Sequence, residues 1–413
     1  MTKQPSYRFA GYTESWEQKK LGEVGDFSIK TNSFSREKLS LNSGEIKNIH
    51  YGDILVKYNS TLDFENNSIP YVIDNDTKLT SDMFLKNGDI IFSDAAEDYS
   101  VGKCVELFNV SGNIVSGLHT IVCRPEIDFA RYFLGYYLNS NSYRQQVLPM
   151  VQGAKVSSIS KGNLSKTNIS FPSLPEQTVI GSFFQDIDQL ISLQQRKLDV
   201  LKEQKKTYLK LLFPAKGQTK PALRFAEFED DWKEVKLGEV AEIYDGTHQT
   251  PIYTTEGVMF LSVENIRTLN SDKYISKDAF DKDFKISPKS GDVLMTRIGD
   301  IGTSNIVETD LDLAYYVSLA LIRSSAIESK FLNVSISSDY FQKELWKRTL
   351  HIAFPKKINK NEIGQSKFYY PTLPEQEAIG SFFQDLDKAI AKQEEKVNQL
   401  KESKQTLLRK MFI

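Results

Sequence analysis

The most constraining feature of this chain is a long heptad pattern that occurs twice. Residues 174–213 read LPEQTVIGSFFQDIDQLISLQQRKLDVLKEQKKTYLKLLF, and a closely similar stretch begins at Leu373, 199 residues later. Apolar residues in each copy recur at alternating steps of four and three, which indicates the seam of a supercoiled helix. Because a helix of this length cannot bury its seam alone, the second copy is the natural partner of the first.

The two seams match position for position. The predicted apolar seam residues are Ile180, Phe184, Ile187, Ile191, Leu198 and Leu201 in the first copy, and Ile379, Phe383, Leu386, Ile390, Val397 and Leu400 in the second. An antiparallel pair with aligned ends places Gln194 opposite Val397 and Leu198 opposite Gln393. Such polar residues can fix register and orientation; the alternative is that both glutamines face solvent or a partner subunit. Four lysines, Lys202, Lys205, Lys206 and Lys210, form either a solvated face or contacts to phosphate.

The duplication extends beyond the helices. Arg8-Phe-Ala, Trp16 and the segment from Lys20 to Val24 return 216 residues later around Arg224 and Trp232, whereas the interiors between these frames differ. We therefore expect an α+β chain of two mainly β domains, each followed by a long helix, with the two helices paired as an antiparallel coiled coil in a pseudo-twofold repeat. The predicted segments are a first globular domain (1–173), a first helix with linker (174–216), a second globular domain (217–372) and a second helix (373–413).

Short runs of β-branched and aromatic residues bounded by Gly, Asn or Ser predict strands within each domain. They are residues 53–56, 87–92, 104–108 and 119–123 in the first domain, and 259–263, 290–295 and 317–322 in the second. One helical stretch is expected in each domain, at 129–147 and 330–349. Ser173 and Thr372 are candidate N-caps of the long helices, because each precedes Leu-Pro-Glu-Gln.

Composition and charge limit the range of possible functions. The chain has 413 residues, is 40% hydrophobic and 26% charged, and carries a formal net charge of -2. Residues 1–173 hold 18 basic against 19 acidic side chains, and residues 217–372 hold 20 against 23. An autonomous nucleic-acid binder is commonly basic, so any DNA surface must be a local basic patch helped by a partner.

Other sequence signals point to a cytoplasmic protein without catalytic machinery. The polar N-terminus and the lack of a long apolar run predict neither a signal peptide nor a membrane span. Cys104 and Cys123 are expected to be reduced structural thiols. A phosphate-binding loop, a dinucleotide fingerprint, metal-spaced histidines, the tetrapeptide of amino-methyltransferases and a nuclease carboxylate cluster are all missing from the sequence. A non-enzyme is favoured.

Three motifs in duplicated order carry a family resemblance. They are Trp-x3-Lys-Leu-Gly-Glu-Val at the start of each domain, Gly-Asp-Ile/Val in mid-domain, and Leu-Pro-Glu-Gln-x2-Ile-Gly-x-Phe-Phe before each long helix. The whole chain resembles the specificity (S) subunit of type I restriction-modification enzymes. The resemblance implies two target recognition domains that read the halves of a split double-stranded DNA sequence, and helices that dock two modification (methyltransferase) subunits. Restriction subunits complete the complex.

The same resemblance implies that this chain is not catalytic. S-adenosylmethionine, ATP and Mg are expected on partner subunits, and no cofactor or metal is expected on this one. Independently of the family, helices of this kind span on the order of 55 Å at about 1.5 Å per residue. Twofold DNA readers use half-sites roughly 34 Å apart or at multiples of that distance, so the helices are expected to act as a ruler. Because the two interiors differ, the target should be asymmetric, with an unread spacer.

Base readout needs hydrogen-bonding side chains on projecting loops, and phosphate anchoring needs Lys, Arg, Ser and Thr. Polar loops with these groups lie at residues 57–60, 93–103 and 153–161, and at 245–251, 297–304 and 355–360. An ordinary surface-loop role is the alternative for each residue. The candidates are Lys57, Tyr58, Asn59, Ser60, Lys103, Lys155, Ser157, Ser158, Lys161, Thr247, His248, Gln249, Thr250, Arg297, Thr303, Ser304, Lys356, Lys357 and Lys360.

Two other functional classes remain open from the residues alone. One is a protein-interaction scaffold whose coiled coil clamps a dimeric partner without touching DNA. The other is an enzyme fused from recognition modules, which the missing catalytic motifs oppose.

Overall fold

The computed structural model describes residues 4–42, 44–73, 79–153 and 155–413. Two compact units are formed, unit 1 from Met1–Gln195 with Lys396–Ile413, and unit 2 from Arg196–Glu395. Both long helices therefore contribute to both units. The boundaries proposed above at 173, 216 and 372 follow chain order and stay a prediction. Ala154, within one candidate loop, lies outside the described residues.

The first part of the chain is rich in short strands. In order it contains β1 Glu17–Lys20, α1 Leu21–Val24, β2 Gly25–Asp26, β3 Leu39–Ser40, β4 Ile46–Ile49, α2 Tyr51–Val56, β5 Thr61–Asp63, β6 Tyr71–Val72, β7 Ile90–Ser93, β8 Ala95–Ala96, β9 Cys104–Phe108, β10 Asn113–Ser116, β11 Thr120–Pro125, α3 Phe133–Leu138, α4 Asn141–Val147, β12 Ser157–Ser158, α5 Lys161–Leu164, β13 Asn168–Phe171 and the long helix α6 Leu174–Leu211.

The second part repeats this plan with fewer strands. It contains β14 Lys233–Lys236, α7 Leu237–Val240, β15 Glu242–Asp245, β16 Val258–Leu261, β17 Tyr274–Ile275, α8 Lys277–Asp283, β18 Val293–Thr296, β19 Ser304–Ile306, β20 Leu313–Tyr315, β21 Leu319–Arg323, α9 Ser329–Ile336, α10 Asp339–Arg348, α11 Lys360–Gly364, β22 Lys367–Tyr370 and the long helix α12 Leu373–Met411. Short 3₁₀ turns lie at Arg36–Lys38, Ser81–Met83, Leu148–Met150 and Val263–Asn265.

Each unit is built on two main sheets. Unit 1 has a five-stranded sheet in the order β2-β11-β7-β9-β5 and a four-stranded sheet in the order β10-β4-β6-β3. Unit 2 has a four-stranded sheet, β15-β21-β18-β19, and a three-stranded sheet, β17-β16-β20. In both units a strand near the start pairs antiparallel with the strand that precedes a long helix, β1 with β13 and β14 with β22. That pairing ties the entry of each domain to its exit.

Residues from both long helices close an aromatic core in each unit. In unit 1, Phe412, just after α12, stacks on Phe184 of α6 at 5.6 Å between ring centroids and lies 6.4 Å from Trp16. In unit 2, Phe213, just after α6, lies 5.8 Å from Trp232 and 6.2 Å from Phe383 of α12. The repeated tryptophans of the sequence frame are thus core residues.

The two long helices pack antiparallel within each unit, which confirms the predicted pairing. Lys404 contacts Asp188 at 2.5 Å in unit 1, and Lys205 contacts Asp387 at 2.5 Å in unit 2. All twelve predicted seam residues are buried or half-buried. Gln393 is buried as well, at 7% exposure, so it does not face solvent.

The lysines of α6 are largely engaged with carboxylates. Besides the Lys205 pair, Lys202 contacts Glu394 at 2.5 Å and Lys206 contacts Glu203 at 3.7 Å. Lys210 is exposed. A phosphate contact by Lys202 or Lys205 would have to compete with these ion pairs.

The repeated Leu-Pro-Glu-Gln segments anchor the long helices to the globular parts. Arg8 donates two hydrogen bonds of 2.7 Å to Glu176, and Arg224 donates bonds of 2.8 and 2.7 Å to Glu375. The helix glycines that follow allow close packing: a Cβ on Gly181 would lie 2.5 Å from a backbone oxygen of Arg131. A side chain at this position would push the helix away.

Most of the predicted strands are present, but one element was predicted wrongly. Residues 53–56 were expected to be a strand and instead belong to α2, which His50 caps by accepting a hydrogen bond of 3.1 Å from the Gly52 amide. The predicted helices at 129–147 and 330–349 are each two helices. Ser140 and Ser338 break them, because each side chain caps the following helix.

Candidate nucleic-acid interface

The central strand β7 of unit 1 ends in a corner where three chain segments meet. Immediately after Ser93, the amide of Asp94 donates to the carbonyl of His119 at 3.0 Å, and the amide of Ile159 donates to the carbonyl of Asp94 at 2.8 Å. Next to this corner, β12 pairs with β8. We call residues 94–103, 119, 152–153 and 155–161 the first-domain loop cluster.

Unit 2 has an equivalent corner after β18. The amide of Arg297 donates to the carbonyl of Ser318 at 2.9 Å, and the amide of Ile358 donates to the carbonyl of Arg297 at 3.0 Å. The pattern of bonds is the same as around Asp94. Asp94 and Arg297 therefore occupy the same backbone position in the two domains, although one side chain is an anion and the other a cation.

Arg297 contacts residues in the candidate loops of unit 2 and connects these loops. Its Nε donates to the carbonyl of Ile358 at 2.9 Å, and its Nη1 forms an ion pair with Asp245. A further backbone bond of 2.8 Å runs from Gly299 to Lys356. Residues 245–251, 297–304 and 350–360, which lie far apart in sequence, thus form one second-domain loop cluster. The Arg297 side chain is only 9% exposed, so its visible role is to hold these loops together.

The corner of unit 1 presents a carboxylate beside an imidazole. Asp94 Oδ1 lies 3.2 Å from His119 Nδ1, and the ring of Tyr51 lies 5.3 Å from the His119 ring. Burial raises the pKa of Asp94, while the charge and hydrogen bond of His119 oppose that shift. Nearby, burial and then the charge of Arg36 lower the pKa of His50.

His119 has a left-handed backbone with φ of 57°, and its side chain is 47% exposed. A carboxylate can accept a hydrogen bond from the amino group of cytosine, and an imidazole can donate or accept at a base edge. The corner therefore offers hydrogen-bonding groups of the kind that base reading requires.

Several candidate residues of the first domain make contacts within the fold. Tyr58 and Ser60 are buried at 3% and 8% exposure. Lys103 Nζ donates to the carbonyls of Leu55 and Tyr58 at 2.9 and 3.0 Å, and burial lowers its pKa. Lys57 Nζ donates to the carbonyl of Ser68 at 2.6 Å. These contacts stabilise the end of α2 and disfavour direct base contact by Tyr58, Ser60 and Lys103.

The remaining first-domain candidates lie at the surface. Asn59, Lys155, Ser158 and Lys161 are exposed, and Ser157 is half-buried. Lys161 Nζ donates to the carbonyl of Phe27 at 2.9 Å. Four of these five residues belong to the first-domain loop cluster, whereas Asn59 follows α2.

The second-domain candidates divide in the same way. Thr303 donates to Asp300 at 2.8 Å and Ser304 donates to Asn333 at 2.7 Å, so both side chains have partners within the unit. Thr247 is half-buried, and its hydroxyl accepts a bond of 3.3 Å from the Gln249 amide. The exposed candidates are His248, Gln249, Thr250, Lys356, Lys357 and Lys360. All six belong to the second-domain loop cluster.

Sequence reasoning missed Asp94, His119 and Asp245 as members of these corners. The only available signal was their position: Asp94 and Asp245 lie in the candidate loops 93–103 and 245–251, and His119 begins the predicted strand 119–123. The chain within the described ranges contains no group of three or more His, Cys, Asp or Glu side chains that could hold a metal ion. Nor does any helix among those residues have the length and apolar character to cross a membrane. Cys104 and Cys123 are both free and buried.

Comparison with known proteins identifies the family. Residues 13–203 and 229–402 match the model of the type I restriction modification DNA specificity domain. The chain is 26% identical over 273 residues to the type I restriction enzyme MjaVIII specificity subunit of Methanocaldococcus jannaschii, an alignment that covers 62% of this chain and 64% of that one. It is 24% identical over 336 residues to the putative MjaX specificity subunit of the same organism, covering 78% and 76%.

The fold is also found among solved structures. The crystal structure of the type I restriction-modification S subunit from M. genitalium superposes with a TM-score of 0.63 at 14% identity, covering 100% of this chain and 99% of that one. A chain from a study of complex assembly and conformational transition of the type I system gives a TM-score of 0.56 at 20% identity, with 96% and 97% coverage. With both globular parts matched by the specificity-domain model, the chain belongs to the type I restriction-modification specificity subunit family.

Proposed function

We propose that this chain reads an asymmetric, bipartite double-stranded DNA target for a type I restriction-modification complex. The observation that carries the proposal is the pair of equivalent corners, where identical backbone bonds hold Asp94 in one domain and Arg297 in the other. The duplicated frame gives both domains the same placement of loops. The different side chains on those loops give each domain its own hydrogen-bonding surface, so the two half-sites differ.

The proposal includes partners and a division of labour. The chain docks two modification subunits and the restriction subunits. Those partners bind S-adenosylmethionine, ATP and Mg, and this chain performs no catalysis. Support for docking comes from α6, where Leu190 and Leu193 lie on one face and are 40% and 56% exposed. The matching positions of α12 are Ala389 and Lys392, so the apolar face is present on only one of the two helices.

A domain exchange tests the reading function. Residues 217–372 are replaced by the equivalent domain of a relative, the variant is assembled with its modification subunits, and the methylated motif is determined by methylome sequencing. One half of the motif should change and the other half should stay. An unchanged motif, or one altered in both halves, would contradict separate reading by the two domains. A scaffold that does not contact DNA would leave the motif unaffected.

A further inference from the structure

The hairpin of residues 350–357 in unit 2 exposes apolar side chains to an unusual degree. Phe354 is 103% exposed and Ile352 is 98% exposed, the highest values for large apolar residues in the part of the chain that the structure describes. The hairpin base is fixed, because the Leu350 amide donates to the Lys357 carbonyl at 2.8 Å and Lys357 pairs with Ile298 of the neighbouring loop. The apolar tip therefore projects from an anchored base.

The surface beside the tip is also aromatic. Trp346 is 65% exposed, and its ring lies 4.7 Å from that of His351, whose Nε2 is 2.8 Å from the Trp346 carbonyl. Both residues line an open pocket of about 430 Å³ together with Gly299 and Lys356. Exposed apolar surface of this kind marks a contact site.

Charge indicates the chemistry of the partner. Residues 339–360 carry six basic and two acidic side chains, whereas the remainder of 217–372 carries 14 basic and 21 acidic ones. Lys356, Lys357 and Lys360 are exposed and form no ion pair with any residue in the described ranges. The apolar tip lies among cations without ion-pair partners in the described ranges, in a domain that is otherwise acidic. This combination matches DNA, a polyanion whose stacked bases can contact apolar side chains.

We propose that Phe354 and Ile352 form an apolar wedge that inserts between neighbouring base pairs of the half-site read by the second domain. This inference rests on the proposed DNA-reading function and adds a specific contact to it. Apolar wedges that unstack a base step occur in other DNA-bending proteins, where flanking cations hold the phosphates. The exposed lysines of the hairpin supply the same combination here.

The first domain offers a matched comparison. Its equivalent hairpin is closed by a bond of 2.9 Å from the Gln152 amide to the Ser158 carbonyl, and the exposed large apolar residue among its described residues is Val156, at 53%. No aromatic residue occurs between 152 and 158. The wedge is therefore specific to the half-site of the second domain. Leu311, which is 74% exposed and lies outside both loop clusters, offers a control, Leu311→Ser, for a change of an exposed apolar residue.

The test uses the complex assembled from this chain and its modification subunits. Its probe is a labelled duplex that carries the motif this complex methylates. Affinity is measured at several salt concentrations for wild type, Phe354→Ser, the conservative Phe354→Trp, and Leu311→Ser. Phe354→Ser should weaken binding roughly tenfold, the order expected for the loss of one aromatic–base stack. Phe354→Trp and Leu311→Ser should bind like wild type. The salt slope, which is the change in log affinity with log salt concentration, should not change in Phe354→Ser, because this variant loses no cationic contact to a phosphate.

A fluorescent base analogue placed at successive steps of the half-site locates the insertion. Fluorescence should rise at one step with the wild-type complex and stay low with Phe354→Ser. As a contrast, replacing Lys356, Lys357 and Lys360 with Ala should lower the salt slope by up to roughly three.

Three results would overturn the wedge. If wild type binds its duplex and Phe354→Ser binds equally well, the tip does not contact DNA. If Phe354→Ser no longer assembles with modification subunits, the tip is a protein contact. If the wild-type complex neither binds nor methylates any duplex, the proposed DNA-reading function fails together with the wedge. The wild-type measurement alone separates this outcome from a failure of the wedge only.

Discussion

The same two helix positions have different surroundings in the two units. In unit 1, Asp188 and Lys404 form an ion pair with side chains 9% and 12% exposed. In unit 2 the equivalent residues, Asp387 and Lys205, pair at the same 2.5 Å but are 51% and 30% exposed. Repetition of the sequence therefore reproduces the contact without reproducing its burial.

The difference comes from the residue that covers the pair. Tyr136 of α3 donates a hydrogen bond of 2.8 Å to Asp188, and Lys404 lies 5.2 Å from its ring. Burial and the nearby Asp188 charge raise the pKa of the Tyr136 hydroxyl, which keeps it a donor. The matching position of α9 is Val334, which lines an open pocket of about 320 Å³ beside Asp387. Buried ion pairs depend on such polar partners, whereas exposed pairs contribute little.

The largest effect is expected from removing one partner of the buried pair. Lys404→Met should lower the free energy of local unfolding of unit 1 by roughly 3 kcal/mol, because it leaves the Asp188 carboxylate buried without its cation. Lys205→Met should change unit 2 by less than about 1 kcal/mol. Amide hydrogen exchange measures each unit separately. Equal losses in the two units would show that burial does not distinguish the pairs.

An intermediate effect is expected from exchanging the covering residues. Tyr136→Val removes a buried ring and a hydrogen bond, so unit 1 should lose roughly 2 kcal/mol. Val334→Tyr adds a ring beside the open pocket of unit 2 and should change its stability by less than about 1 kcal/mol. The protection of α6 and α12 amides in hydrogen exchange reports both changes. Tyr136→Val without loss of protection in unit 1 would contradict the covering role.

A pH-dependent difference, smaller for each pH unit than the losses above, should arise from Glu106 of β9. It is buried, accepts a bond of 2.7 Å from the Gly135 amide, and burial raises its pKa to about 8. The equivalent residue of unit 2 is Ile306. It pairs with Val293 of β18 in the same way that Glu106 pairs with Ile90 of β7. Between about pH 4.5 and 8 the folded state keeps a proton that the unfolded chain has lost, so stability falls as pH rises, by at most about 1.4 kcal/mol per pH unit.

Glu106→Gln should therefore flatten the pH profile of unit 1 over this range. Urea unfolding midpoints measured from pH 5 to pH 9 provide the test, with Ile306→Val as a control that leaves the profile unchanged. If Glu106→Gln retains the wild-type slope, another group is responsible for the pH dependence.

Local patterns predicted the features that depend on periodicity. The alternating steps of four and three identified both long helices, and all twelve apolar residues predicted at those steps are buried or half-buried. The strand at 104–108 coincides with β9, since a run of β-branched and aromatic residues bounded by polar ones is strand-like by itself. A run as short as 53–56, with three apolar residues after Asp53, has too little periodicity to distinguish a strand from a helix. The cap provided by His50 favours the helix observed there.

Spacing along the chain was enough to predict the duplicated architecture, the helix seams and the family. Only the tertiary structure showed that Arg297 joins three distant loops, that Tyr58, Ser60 and Lys103 are used inside the fold, and that Tyr136 buries one of two equivalent ion pairs. Each of these contacts joins residues far apart in sequence. Their burial and hydrogen bonds are set by which side chains the folded backbone brings together, and no local pattern encodes that.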